Sequence, residues 1–275
     1  MPTLPPERAG APGSASHHHR RVAESFGSDA ARYDRARPGY PRALVERIAA
    51  AAPGRDVLDV GCGTGIAARL FASAGCRVLG VDIDARMAER ARAYGLAVEV
   101  AAFESWDPAG RTFDAVVSGQ SWHWIDPAAG AAAAARALRP GGVLALFWNA
   151  GRPPTGLAAA FAEVYRRVLP GSLAARLSAA APDGYAALRD TAADGIRQAA
   201  GLTAPERWQH DWRRTYTRDE WLDQLPTQGA FTRLPEPRLA AALSGIGAAI
   251  DAAGGAFTMR YTTTAVVSTR DGATA

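Results

Sequence analysis

Chemistry in this chain centres on Asp56 to Gly65 (D-V-L-D-V-G-C-G-T-G), where three glycines alternate behind a short apolar stretch. Without a Cβ, Gly61, Gly63 and Gly65 allow positive φ and let a bulky ligand lie directly against the backbone. That suits a nucleotide-type cofactor. Counting from Gly61, the sixth residue is Ile66, so the spacing is G-x-G-x-G. Dinucleotide sites want G-x-G-x-x-G, which disfavours NAD and FAD. Asp59 can orient the loop by accepting backbone N–H bonds. Asp82 follows about twenty residues later, where a carboxylate can accept from both hydroxyls of a ribose. His123 stands between two tryptophans in G-Q-S-W-H-W-I-D, and an imidazole of ordinary pKa, about 6.5, can act as a base near neutrality. The same histidine could instead bond a backbone carbonyl and shape its loop. His210 alternates with Trp208 and Trp212, so it faces either a pocket or solvent.

The elements that must carry these residues follow from pattern. Val57, Leu58 and Val60 are typical of a strand buried on both faces, and residues 66–74 read as the helix behind the glycine turn. Cys76–Val81, Ala97–Val100, Phe113–Ser118 and Leu138–Phe147 read as further strands, the last entered through a turn. Alternation of strand and helix from Asp56 to Phe147 is the signature of a parallel sheet with helices on both faces, whose ligands sit at the carboxyl ends of the strands. Before it, residues 1–20 read as a disordered tail. Residues 21–55 hold a lid and leading helices: Val22–Asp34 as a helix with Phe26, Ala30 and Tyr33 on one side, then a helix with Leu44, Val45 and Ile48 inward. Phe26–Tyr40 is expected to close over the cofactor. Residues 56–150 form the core and the alanine-rich 151–205 a helical cap insertion. Residues 206–275 return to the sheet through a strand at Glu206–Tyr216, a helix at Pro237–Ala253 and a closing strand at Phe257–Ser268.

With 275 residues and 48% hydrophobic content, the chain can bury a proper core. It contains no lysine, so its net charge of +4 is carried by arginine, and no long stripe of arginine interleaved with aromatics suggests nucleic acid. No apolar run of about 18 residues and no signal-peptide pattern is present, which points to a soluble cytoplasmic protein. Cys62 and Cys76 have neither disulfide-scaffold density nor zinc spacing. His17, His18 and His19 lie in the tail and are not taken as a metal site.

V-L-D-V-G-C-G-T-G, followed by A-A-F-E-S-W (101–106), F-D-A-V-V-S (113–118) and L-R-P-G-G-V-L-A-L-F (138–147), resembles the class I S-adenosylmethionine (SAM) dependent methyltransferases. F-G-S-D-A-A-R-Y-D-R-A-R-P-G-Y-P (26–41) resembles the start of the branch that includes trans-aconitate methyltransferase-like proteins. The resemblance covers roughly residues 26–150. It implies a Rossmann-like, seven-stranded, mostly parallel sheet, with the closing strand antiparallel at the sheet edge.

It further implies SAM as cofactor, released as S-adenosylhomocysteine, held by Asp59, Gly61, Cys62, Gly63, Thr64, Gly65, Asp82, Ile83, Phe103, Glu104 and Gln120. Phe103 and Glu104 fall beside the adenine by motif position. His123 and Tyr33 are the candidate catalytic residues. Phe26, Trp122, Trp124, Trp148 and His210 are the candidates for holding a small acceptor, aromatic or polycyclic as in natural-product chemistry. Transfer from a sulfonium is an in-line displacement in which alignment and exclusion of water do most of the work, and a base adds to it. Two rivals stand: another reaction on the same fold, and a non-catalytic SAM-binding partner of some other enzyme. The expected state is a monomer or homodimer.

Overall fold

The structure is a computed structural model and describes residues 24–168, 170, 184–229, 231–232 and 234–272. The proposed tail, His17–His19 included, and the middle of the proposed cap lie outside these residues. In chain order the main elements are α1 (Ala30–Ala36), α2 (Arg42–Ala51), β1 (Asp56–Val60), α3 (Ile66–Ser73), β2 (Arg77–Asp82) and α4 (Ala85–Arg92). Then come β3 (Ala97–Val100), β4 (Phe113–Gly119), α5 (Pro127–Ala137), β5 (Leu138–Arg152), α6 (Thr155–Val168) and α7 (Ala186–Gln198). The rest is β6 (Glu206–Thr217), α8 (Arg218–Gln224), α9 (Glu236–Ala252) and β7 (Ala256–Thr269).

The strands form one sheet in the order β3-β2-β1-β4-β5-β7-β6. The pairs β1 with β2, β1 with β4, β2 with β3 and β4 with β5 are parallel. This is the Rossmann-like α/β architecture the glycine motif implied. One detail differs from expectation: β7 lies between β5 and β6, so the edge strand is β6. β6 alternates buried Trp208 with exposed or half-buried neighbours, as a strand with one open side does.

The chain divides into two compact units, and β5, β6 and β7 have residues in both. The first comprises 39–149, 186–210 and 263–275. Leu44, Val45 and Ile48 of α2, Phe71 of α3, Val57, Ala115, Val117, Phe147, Trp208 and Ala265 make one of its cores. Each large aliphatic buried there contributes about 1.5–3 kcal/mol. Helix α5 starts where the Asp126 side chain accepts the Ala128 and Ala129 N–H groups and Pro127 takes the first turn. It packs on α7, so closely that a Cβ on Gly195 would stand 2.4 Å from the Pro127 carbonyl oxygen. Helix α7, which the sequence reading places in the cap, thus packs within this unit.

The second unit comprises the described residues among 1–38, 150–185 and 211–262. Its core is aromatic: Phe161, Tyr165, Tyr216, Trp221, Phe231, Phe257 and Tyr261 are buried together. The Tyr216 and Tyr261 hydroxyls bond to each other at 2.7 Å. In place of the single helix expected over Val22–Asp34, a 3-10 turn at Glu24–Asp29 leads into α1, with the Asp29 side chain accepting the Arg32 N–H. Asp223 of α8 then receives Arg32 Nε and Arg35 Nε, each at 2.9 Å. The segment expected to act as one lid is therefore divided: Phe26–Pro38 belongs to this unit and Gly39–Tyr40 to the other.

No helix among the described residues is long and apolar enough to cross a membrane. No group of three or more His, Cys, Asp and Glu among them could hold a metal ion.

Candidate active site

At the carboxyl end of β1 the chain turns through Gly61 (φ 65°), Gly63 (φ 55°) and Gly65 (φ 84°), all in the left-handed region that only glycine enters without strain. Gly65 is also the N-cap of α3, and no side chain caps that helix. The loop is held from beneath by backbone. Val81 C=O accepts the N–H groups of Gly61 at 2.8 Å and Cys62 at 3.2 Å.

Asp82, at the end of β2, completes the hold: Oδ2 accepts the Gly63 N–H at 2.7 Å and Oδ1 the Asp84 N–H at 2.9 Å. Burial raises its pKa, and the two N–H bonds offset only part of that effect. The structure corrects the role expected of Asp59. Both Asp59 oxygens are buried without a hydrogen-bond partner of normal geometry. Burial, reinforced by the nearby charge of Asp82, pushes its pKa up to about 8. Orienting the glycine turn thus falls to Asp82. Thr64 is likewise buried with an unpartnered hydroxyl, and burial pushes the Cys62 thiol up, which disfavours its thiolate.

After β4 the chain makes a second turn. Gln120 adopts φ 58°, unusual for a residue with a side chain. Its N–H donates to Phe147 C=O at 2.9 Å, and its Oε1 accepts the Asn149 N–H at 3.2 Å. Ser118 and Ser121 both donate to Val60 C=O at 2.9 Å, with their own oxygens 2.6 Å apart. They fasten this turn to the residue that precedes Gly61. A Cβ on Gly61 would stand 2.6 Å from the Ser121 Cβ. Nothing in the sequence distinguished these serines from ordinary strand-end polar residues.

His123 follows in a 3-10 turn, Trp122–Trp124. It is buried, its Nδ1 accepts the Trp148 indole N–H at a long 3.4 Å, and its Nε2 has no partner. An accepting Nδ1 puts the proton of the neutral ring on Nε2. Burial lowers the pKa to about 3, well under the value of about 6.5 on which the expectation of a base near neutrality rested. Trp122 and Trp148 are also fully buried, Trp122 against Phe103. They build the floor of the turn, leaving Trp124, half-buried and ring-to-ring with His123 at 4.7 Å, as its open aromatic.

Phe103 is buried beside Trp106, and Glu104 Oε1 accepts the Asp126 N–H at 3.2 Å, fixing the start of α5. Ile83, half-buried, follows Asp82 directly. Thus Asp59, the glycines, Asp82, Gln120, Trp122, His123, Trp124 and Trp148 gather at the ends of β1, β2, β4 and β5. His210 does not join them. It lies on edge strand β6, beyond β5 and β7 from β4, where burial and the charge of Arg47 lower its pKa. Phe26 and Tyr33 meet each other in the second unit, with ring centroids 5.8 Å apart and the Arg37 guanidinium over both.

Comparison with known proteins agrees with this geometry. Residues 58–146 match the methyltransferase domain family. They form a class I SAM-dependent methyltransferase domain. An uncharacterized methyltransferase of Mycobacterium bovis is 38% identical over 138 residues, covering 47% of this chain and 54% of that protein. A ubiquinone biosynthesis O-methyltransferase of Hahella chejuensis is 35% identical over 131 residues, covering 44% of this chain and 55% of that protein. The chain therefore spans about half the length of the curated relatives it matches. A structure from Anaeromyxobacter dehalogenans, assigned to the type II methyltransferases, is 25% identical with a TM-score of 0.60, covering 84% of this chain and 97% of that one.

The methyltransferase domain's residues fit its cofactor. The three glycines of the turn present backbone without a Cβ, and both oxygens of buried Asp59, two residues before Gly61, lack a hydrogen bond of normal geometry. A cationic ligand would favour that carboxyl's ionised form.

Proposed function

We propose that the protein transfers a methyl group from SAM to a small aromatic or polycyclic acceptor, as a soluble cytoplasmic enzyme. The observation that carries this reading is the glycine turn at positive φ, held by Asp82 at the head of the sheet. The bound cofactor would supply an electrophilic methyl group on a sulfonium. The turn's backbone would hold it, and Asp82 has acceptor capacity left for the ribose hydroxyls. Supporting an aromatic acceptor is Trp124, whose partly open ring stands beside His123 at the end of β4. The Hahella chejuensis relative, by its name an O-methyltransferase of ubiquinone biosynthesis, points the same way.

His123 shapes this turn in its neutral form. A group with a pKa of about 3 has little drive to take a proton at neutral pH. Catalysis then rests on alignment and exclusion of water, which together can supply several kcal/mol. The test is calorimetry with SAM, followed by detection of S-adenosylhomocysteine across a panel of phenolic and polycyclic acceptors. Binding with acceptor-dependent product release is expected. Binding with no product from any acceptor would leave a SAM-binding protein of another kind, and absence of binding would remove the reading.

A further inference from the structure

We infer that Asn149 is a positioning residue: it ties the turn after β4 to Gly39 and Thr263, two segments distant in the chain, and so sets how firmly the glycine turn holds the methyl donor. The inference rests on the donor site proposed above. Asn149 is buried at the head of β5 and makes three polar contacts to three separate segments. Its backbone N–H donates to Gln120 Oε1 at 3.2 Å. Its Nδ2 donates to Gly39 C=O at 2.9 Å, and its Oδ1 accepts the hydroxyl of fully buried Thr263 at 2.6 Å.

Gly39 and Thr263 stand 110 and 114 positions from Asn149 in the chain. One amide therefore gathers two distant segments at the strand end that carries Gln120's partner. An amide that merely satisfied its own burial would need partners, but not partners so placed.

The path from this point to the donor site is continuous. Tyr40 stands edge-on to Phe147 at 4.7 Å, and a Cβ on Gly119 would come within 2.7 Å of the Phe147 ring and of the Tyr40 hydroxyl. Gln120, held by Asn149 and Phe147, keeps its left-handed backbone, which needs surrounding contacts to persist. On either side of it Ser118 and Ser121 donate to Val60 C=O, next to Gly61. Loosening Asn149 releases Gln120, and releasing Gln120 loosens the serines that pin the first turn.

The experiment uses the full chain and S-adenosylhomocysteine as probe, with wild type, Asn149→Ala and Thr263→Val. Calorimetry is expected to show binding weakened about tenfold or more in Asn149→Ala, which strands the part-buried Gly39 carbonyl and the buried Thr263 hydroxyl, and about threefold in Thr263→Val. Hydrogen exchange across 118–122 should rise in both. If Asn149→Ala does not fold, Thr263→Val carries the test, because it removes one hydroxyl at nearly constant shape. Variants that melt earlier yet bind and exchange like wild type would make Asn149 a structural amide and overturn the inference. Wild type that binds no S-adenosylhomocysteine would overturn the donor reading. In that case, unchanged exchange at 118–122 in the ligand-free variants would overturn the positioning role as well.

Discussion

The turn after β1 and the turn after β4 leave neighbouring strands of one sheet and are both fastened to backbone, but they differ in what stands behind them. The first consists largely of glycines, bonded to backbone and to one carboxylate. The second is pinned to Val60 C=O and Phe147 C=O by Ser118, Ser121 and Gln120 and is backed by large rings, Trp122, His123 and Trp148 of β5, packed out of water. Hydrogen bonds with backbone partners fix position sharply and leave an open surface. Packed rings fix shape but bury the very groups that might react, and that is why His123 loses its ordinary basicity while Asp82 keeps a place at the site.

Three experiments would sharpen or break this contrast. The largest effect is expected from Gly61→Ala, which combines a strained φ of 65° with a Cβ 2.6 Å from Ser121. A loss of about 3 kcal/mol or more in stability, with SAM binding reduced beyond about a hundredfold, should appear in denaturant unfolding and calorimetry. A variant as stable as wild type would mean the turn is far more yielding than its geometry implies.

Next is Asp82→Ala, which strands the Gly63 N–H. A loss of about 1–3 kcal/mol in SAM affinity is expected, and unchanged affinity would show that the backbone bonds to Val81 hold the turn alone.

Smallest per step of the measurement are two opposed pH dependences, each read as a gradual slope rather than as a loss of binding. Asp59 has a folded pKa of about 8 against 3.8 for the free group, so its contribution to stability is complete below about pH 3.8 and is lost as pH rises through 8. His123 has a folded pKa of about 3 against 6.5, so its contribution is complete above about pH 6.5 and is lost as pH falls toward 3. In SAM-free protein, wild-type stability relative to Asp59→Asn should fall between about pH 4 and 8. Relative to His123→Phe it should rise between about pH 4 and 6.5. Urea unfolding across that range reads both, and a His123→Phe profile parallel to wild type would restore the histidine as a candidate base.

The sequence by itself determined the fold and the first turn. Strand–helix alternation leaves few ways to bury Val57, Leu58 and Val60 on both faces, and glycine spacing reports a backbone requirement local to the chain. The strands from β1 to β4 accordingly fall close to where pattern puts them, and Asp82 lies where the ribose spacing asks. What only the tertiary structure decided is the state and company of side chains. The motif cannot say that Asp82 rather than Asp59 accepts from the loop, because that depends on which carboxylate the neighbouring strand aims at Gly63. It cannot say that His123 is buried against Trp148 twenty-five positions away, or that His210 sits on an edge strand, because desolvation and strand order are properties of the assembled sheet. Ser118, Ser121 and Asn149 fall at strand ends by pattern, but nothing local to them tells which backbone groups they hold. Their roles arise from where three distant segments of backbone happen to meet, and sequence spacing does not encode that meeting.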